Sequence, residues 1–171
     1  MKTAYQLVLR LHSPSLGEHS LAYQDRSFWK KLWSLHTPPK VLNFLWRACS
    51  DILPTRVNLL RRKIQIDPQC SLCGQSDTIF CGNAHLLAMS GRWLVGKSSY
   101  EAFSFYLLAR AMVERFDVKE LESWAMIAWS LWNARNQFHF EQVQTHPTVI
   151  LRVATSLLEE YQRLALAGPH L

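Results

Sequence analysis

Along most of the chain, apolar residues recur every three to four positions, the period of an amphipathic helix rather than of a strand. Residues 4–11 follow this spacing until SPSLGEHS (13–20) breaks it with Pro14 and Gly17. Asp25 is placed to cap a short helix holding Phe28, Trp29, Leu32 and Trp33. Pro38 and Pro39 end that segment and open the next, because proline is tolerated in a helix's first turn. In PKVLNFLWRACSD, Val41, Leu42, Leu45 and Ala48 or Cys49 fall on one broad face. After Pro54, Thr55 is the expected N-cap of TRVNLLRRK. Residues 64–68 (IQIDP) read as extended, and 83–93 read as a further helix with Gly91 near its end. Three longer helices are expected over about 100–116, 119–140 and 147–166. Leu121, Trp124, Ile127, Ala128, Leu131 and Trp132 give the second of them a core-facing stripe.

This pattern predicts a mostly α protein. A small helical domain over residues 1–95, containing a short Cys/His loop, is followed by a C-terminal helical extension over residues 96–171. No sustained strand alternation, internal repeat or low-complexity tract interrupts it. A chain of 171 residues, 49% apolar and 12% aromatic, has ample material for one core. No apolar run reaches the roughly 18 residues needed to span a bilayer, and Arg10 and His12 interrupt the stretch where an export signal would be continuously apolar. An intracellular protein, nuclear or cytoplasmic and without a membrane partner, is expected.

Charge is unevenly spread. Residues 1–66 hold eleven Lys/Arg against three Asp/Glu, a net of +8, whereas residues 67–171 carry a net of −2. A basic N-terminal half suits a polyanionic partner such as RNA or DNA. Arg56, Arg61, Arg62 and Lys63 cluster on or beside one short helix, and Lys30, Lys31, Lys40 and Arg47 would enlarge the patch if the fold brought them near. The competing reading is an ordinary solvated face. Six of the seven tryptophans (Trp29, Trp33, Trp46, Trp124, Trp129 and Trp132) could stack on bases. Their helical spacing among leucines favours burial in the core.

The segment CSLCGQSDTIFCGNAH gathers three of the four cysteines and one of the seven histidines into residues 70–85. A C-x2-C pair, here Cys70 and Cys73, can aim two thiolates at one tetrahedral Zn2+, and Gly74 suits the turn this needs. Two further ligands are required, and Cys81 and His85 are the nearest supply. Enzymatic chemistry finds no comparable cluster. The five aspartates are dispersed, no Gly-rich phosphate loop or G-x-S-x-G is present, and Cys49 sits on an apolar helix face as a buried, inert thiol would. No small-molecule substrate is implied.

The run FWKKLWSLHTPPKVLNFLWRACSDILPTRVNLLRRKIQIDPQCSLCG resembles the reverse-transcriptase zinc-binding domain of plant LINE-type (non-LTR) retrotransposons. The resemblance rests on an ordered series: W-K-x-[LI]-W, P-P-K-V-x-x-F-L-W-R, I-L-P-T, N-L-x-R-R and C-x2-C-G. MKTAYQLVLRL resembles the segment that opens the domain. WAMIAWSLWNARNQFHFE (124–141) resembles the helical connector that follows it, before an RNase H-like domain. The resemblance implies a non-catalytic helical module that binds zinc and contacts nucleic acid beside a polymerase. Cys70 and Cys73 match its first two ligands. The family then has a His and, about five residues later, a Cys followed by a small residue and Trp. Here Cys81-Gly-Asn-Ala84 resembles the Cys part, and the segment bearing the His is missing between Ile79 and Cys81.

The expectation is therefore a partly eroded, truncated copy, with His85 substituting from the other side of Cys81. Polymerase and RNase H carboxylate sets are not found in it. The alternative is a metal-free helical scaffold or protein-interaction fragment with no retained transposon function.

Overall fold

Short polar caps decide where the helices begin. A computed structural model of the chain describes residues 25–67, 69 and 104–167. The helices expected over 4–11 and 83–93, and the Cys/His loop, lie outside the described residues. Helix α1 (Arg26–Trp33) starts at Asp25, whose Oδ1 accepts from the Phe28 amide at 3.0 Å and from the Ser27 hydroxyl at 2.9 Å. Helix α2 (Pro39–Cys49) begins without a side-chain cap, since Pro39 in the first turn has no amide to satisfy. Thr55 caps α3 (Arg56–Arg61), accepting from the Asn58 amide at 3.2 Å. Ser104 caps α4 (Phe105–Arg115). Asp117 and Glu120 form a reciprocal capping box at the start of α5 (Val118–Glu141). The last helix is α6 (Pro147–Ala167). These six helices hold most of the described residues, and the mostly α expectation holds.

Helix ends are equally specific. After α2 the Asp51 amide donates to the Ala48 carbonyl and the Ile52 amide to that of Arg47, with Asp51 left-handed at φ 51°. The same pair of bonds closes α3, where Lys63 takes φ 64° while its amide and that of Ile64 reach Leu60 and Leu59. Both are Schellman closures in which the left-handed position usually held by glycine is taken by a side-chain-bearing residue. Gln142 ends α5 in the same left-handed region.

One apolar core joins α1, α2, α4, α5 and α6. α2 turns Val41, Phe44, Leu45, Ala48 and Cys49 inward against α4 and α5. The Phe44 ring lies 6.0 Å from Phe105 of α4 and 6.3 Å from Trp132 of α5. α1 packs on α4, where Phe28 meets Tyr106 edge-on at 5.2 Å. α6 lies along α5 and buries Ile150, Ala154 and Leu158 at successive turns.

The α5 stripe read from the sequence is buried throughout, but the helix is more enclosed than one stripe requires. Ala125, Met126 and Ser130 are buried as well. The reason is position: α2 and α4 cover one side of α5 while α6 covers another. Two tryptophans correct the core expectation. Trp33 and Trp46 are 49% and 38% exposed. Trp46 follows the inward pair Phe44 and Leu45 and precedes Ala48, so the helical period carries it to the opposite face. Trp33, the final residue of α1, stands past the buried Phe28 and Leu32. Trp29 and Trp129 are half-buried, and Trp124 and Trp132 are core.

Truncating Phe44 to Ala is expected to cost about 3–5 kcal/mol, because the ring's neighbours on two other helices cannot collapse into the space. Trp46→Ala, on the solvent side of the same helix, is expected to change stability by less than about 1 kcal/mol. Urea unfolding of the two variants checks the contrast, and equal losses would contradict this packing.

Candidate functional site

Cys70, Cys73, Cys81 and His85 lie outside the described residues. Among the described residues no group of three or more His, Cys, Asp or Glu side chains could hold a metal ion. Cys49 does not suit the role of ligand. It is buried on the inward face of α2, and burial pushes its thiol well above the ordinary range, whereas zinc requires a thiolate. That agrees with the inert-thiol reading of Cys49.

The described residues do define the lead-in to the cysteine segment. Asp67 Oδ1 accepts from the Gln69 amide at 2.8 Å, a local turn immediately before Cys70. Arg56, the first residue of α3, donates from Nη1 to the carbonyls of Gln69 at 2.7 Å and Asp67 at 3.3 Å. Its Nη2 lies 3.2 Å from Nδ1 of His139, near the end of α5. Since guanidinium only donates, Nδ1 is the acceptor and the imidazole is the neutral Nε2–H form. Burial, then the positive charges of Arg56 and Arg135, hold the His139 pKa below its ordinary value.

The basic residues predicted for nucleic-acid contact are distributed over three helices and differ in how far they are committed. Lys31 donates to the Val113 carbonyl at 2.6 Å and to that of Phe116 at 3.5 Å, satisfying acceptors at the C-terminal end of α4. Arg61 pairs with Asp51 at 2.7 Å and donates to Asn58 Oδ1 at 3.0 Å. Lys40 places its ammonium 4.4 Å from the centre of the Trp129 ring. Lys30, Arg47, Arg62 and Lys63 are exposed. Lys40 and Arg47 are seven residues apart on α2, hence on one face, with the exposed Trp46 beside Arg47.

Two buried polar residues, Asn58 (the first of the N-L-x-R-R motif) and Glu122, organise these surroundings. Asn58, buried on α3, donates from Nδ2 to the carbonyls of Asp51 and Leu53 at 2.9 and 3.0 Å and to Asp51 Oδ1 at 3.1 Å. It thereby fixes the loop joining α2 to α3. Glu122 on α5 is only 4% exposed. Its Oε1 accepts from the His36 amide at 2.7 Å and its Oε2 from the Gln162 side chain at 2.9 Å, which ties the α1–α2 turn to α5 and α6. Helical periodicity gives no warning of either, because their partners are loop backbone and a side chain forty residues away.

The class so defined is a helical module, among its described residues, that carries a cysteine-rich segment between α3 and α4. The sequence model of the family described as zinc-binding in reverse transcriptase matches residues 1–87, just over half of the chain, and the chain belongs to that family. The matched family is a zinc-binding accessory module rather than the catalytic polymerase domain. The match spans α1 to α3 and all four candidate ligands. No curated protein and no solved structure matches the chain. Among the described residues no helix is long and apolar enough to cross a membrane.

On the acidic side, two lowered pKa values predict a pH dependence. A depressed pKa means that the folded state holds fewer protons than the unfolded chain, so stability rises with pH across the shifted window. For His139 the favourable term is complete above its ordinary value of 6.5 and is lost as pH falls through the lowered one. For Asp25, held down chiefly by the Phe28 amide, the corresponding loss begins below 3.8. Stability is therefore expected to decline in two steps on acidification. Chemical denaturation across pH checks this, and His139→Phe should remove the upper step alone.

Proposed function

We propose that the chain is a non-catalytic zinc-binding module derived from the reverse-transcriptase polyprotein of a retrotransposon, of the plant LINE type, that contacts RNA or DNA with little sequence preference. Membership of the zinc-binding family carries this reading, because the matched residues include the C-x2-C pair. Cys70 and Cys73 would supply two thiolates to zinc, with Cys81 and His85 completing a closed four-ligand structural site. Bound zinc would cross-link the segment between α3 and α4. The non-catalytic reading is supported by the work that described carboxylates already do: Asp25 and Asp117 cap helices, Asp51 holds Asn58 and Arg61, and Glu122 accepts from a backbone amide and a glutamine.

Nucleic-acid contact is supported by the +8 charge of residues 1–66 and by exposed cations near exposed rings. Lys30, Arg47, Arg62 and Lys63 stand free to meet phosphates, while Trp33 and Trp46 offer faces on which unpaired bases can stack. One observation favours the second reading, a metal-free helical scaffold: α1, α2, α4, α5 and α6 close an apolar core of their own.

Purified protein is expected to carry one zinc per chain, and the Cys70→Ser, Cys73→Ser double variant none, with a lower melting temperature. Elemental analysis beside calorimetry makes the test. Zinc absent from both proteins would favour the scaffold.

Engagement of the four exposed cations would weaken single-strand binding about fifty-fold between about 50 and 200 mM salt. Anisotropy titrations with RNA and DNA oligonucleotides measure the slope. No binding at low salt, or an affinity indifferent to salt, would remove the nucleic-acid half of the proposal.

A further inference from the structure

Arg56 belongs by sequence with the cations that would meet phosphates. In the fold its guanidinium is committed to two backbone carbonyls and an imidazole. The carbonyl held most closely, at 2.7 Å, belongs to Gln69, covalently the residue before Cys70. The second, Asp67, is two residues earlier and shapes the same turn through its own side chain. The imidazole is His139, separated from Arg56 by 83 positions and lying beyond the family-matched residues.

Each end of this linkage is anchored. Arg56 is the first residue of α3, directly after the capping Thr55, and Asn58 pins the same corner through its bonds to Asp51 and Leu53. His139 sits near the end of the 24-residue α5, which is anchored in the core through its buried residues between Leu121 and Trp132. The imidazole ring also meets Phe140 edge-on at 4.9 Å. A lysine could not reproduce the linkage. Its point charge lacks the planar fork that lets one side chain reach carbonyls on one side and an imidazole on the other.

We propose that Arg56, backed by His139, is a positioning pair that sets the start of the cysteine segment for zinc, so that metal retention depends on α5 as well as on the family-matched residues. The inference rests on the zinc reading above. A ligand loop entered from a held Gln69 loses less freedom when it closes on the metal, and groups that orient metal ligands commonly contribute 10- to 100-fold in metal affinity. The helices after the matched stretch thereby act on the site and do more than extend the module.

The test is zinc affinity of the full chain, measured by competition with a chromophoric chelator, alongside far-ultraviolet circular dichroism. The variants are Arg56→Lys, His139→Phe, their combination, and Arg26→Lys as an exposed cation at the start of α1. Arg56→Lys and His139→Phe are each expected to weaken zinc binding about tenfold with helicity retained. The double variant should be little worse than either, as for two members of one linkage, and Arg26→Lys should match the wild type. Wild-type affinity in a folded Arg56→Lys or His139→Phe protein overturns the pair while leaving the zinc reading intact. A loss confined to Arg56→Lys overturns the part assigned to α5. A wild-type protein that holds no zinc overturns both readings together.

Discussion

The inward face of α2 is the constraint on which the rest of the described structure depends. Val41, Phe44, Leu45 and Ala48 form too broad an apolar surface to leave in water, and burying such side chains is worth roughly 1.5–3 kcal/mol each. α1 and α3 are too short to cover it. Cover comes from α4 and α5, and the Phe44 ring, near Phe105 and Trp132, marks where the three helices meet. Among the described residues, the early and late helices share one core and so stabilise each other. α6 then covers another side of α5, which explains why that helix is apolar over more of its circumference than a surface helix would be.

Polar side chains set the geometry within that apolar frame. Asn58 and Glu122 play the same part in different places: each is buried, and each has its hydrogen-bonding capacity met largely by groups outside its own helix turn. A buried amide or carboxylate without partners would cost several kcal/mol, so the loops that supply those partners are held to one arrangement. The α2–α3 loop is specified in this way, and so is the α1–α2 turn. Lys31 does the same for the end of α4. Several of the cations that raise the charge of the N-terminal half are thus engaged in structure, leaving a smaller and more dispersed basic surface than the bare count of residues suggests.

Zinc binding and nucleic-acid contact would draw on different parts of this module. The metal would act on the segment after Gln69, whose start is tied through Arg56 to α3 and α5. Nucleic acid would meet the solvent side of α2 and the end of α3, where Arg47, Trp46, Arg62 and Lys63 are exposed. The α2–α3 corner, stiffened by Asn58, joins the two. An order imposed on the cysteine segment by metal would be felt there through the same linkage.

What the sequence determined by itself was local. Helix starts at Asp25, Pro39 and Thr55, the long helix near 119–140 and its core stripe were legible because caps and periodicity act within a few residues of one another. The C-x2-C pair was legible for the same reason, its chemistry lying in the spacing of two neighbours. Tertiary structure decided what depended on distant partners. It turned Trp33 and Trp46 toward solvent, gave Asn58 and Glu122 their buried roles, and engaged Lys31 and Arg56 in hydrogen bonds to other parts of the chain. The physical reason is that a cation's role is set by its nearest acceptors. For Lys31 and Arg56 these include groups 82 and 83 positions away, brought near only when the apolar faces close.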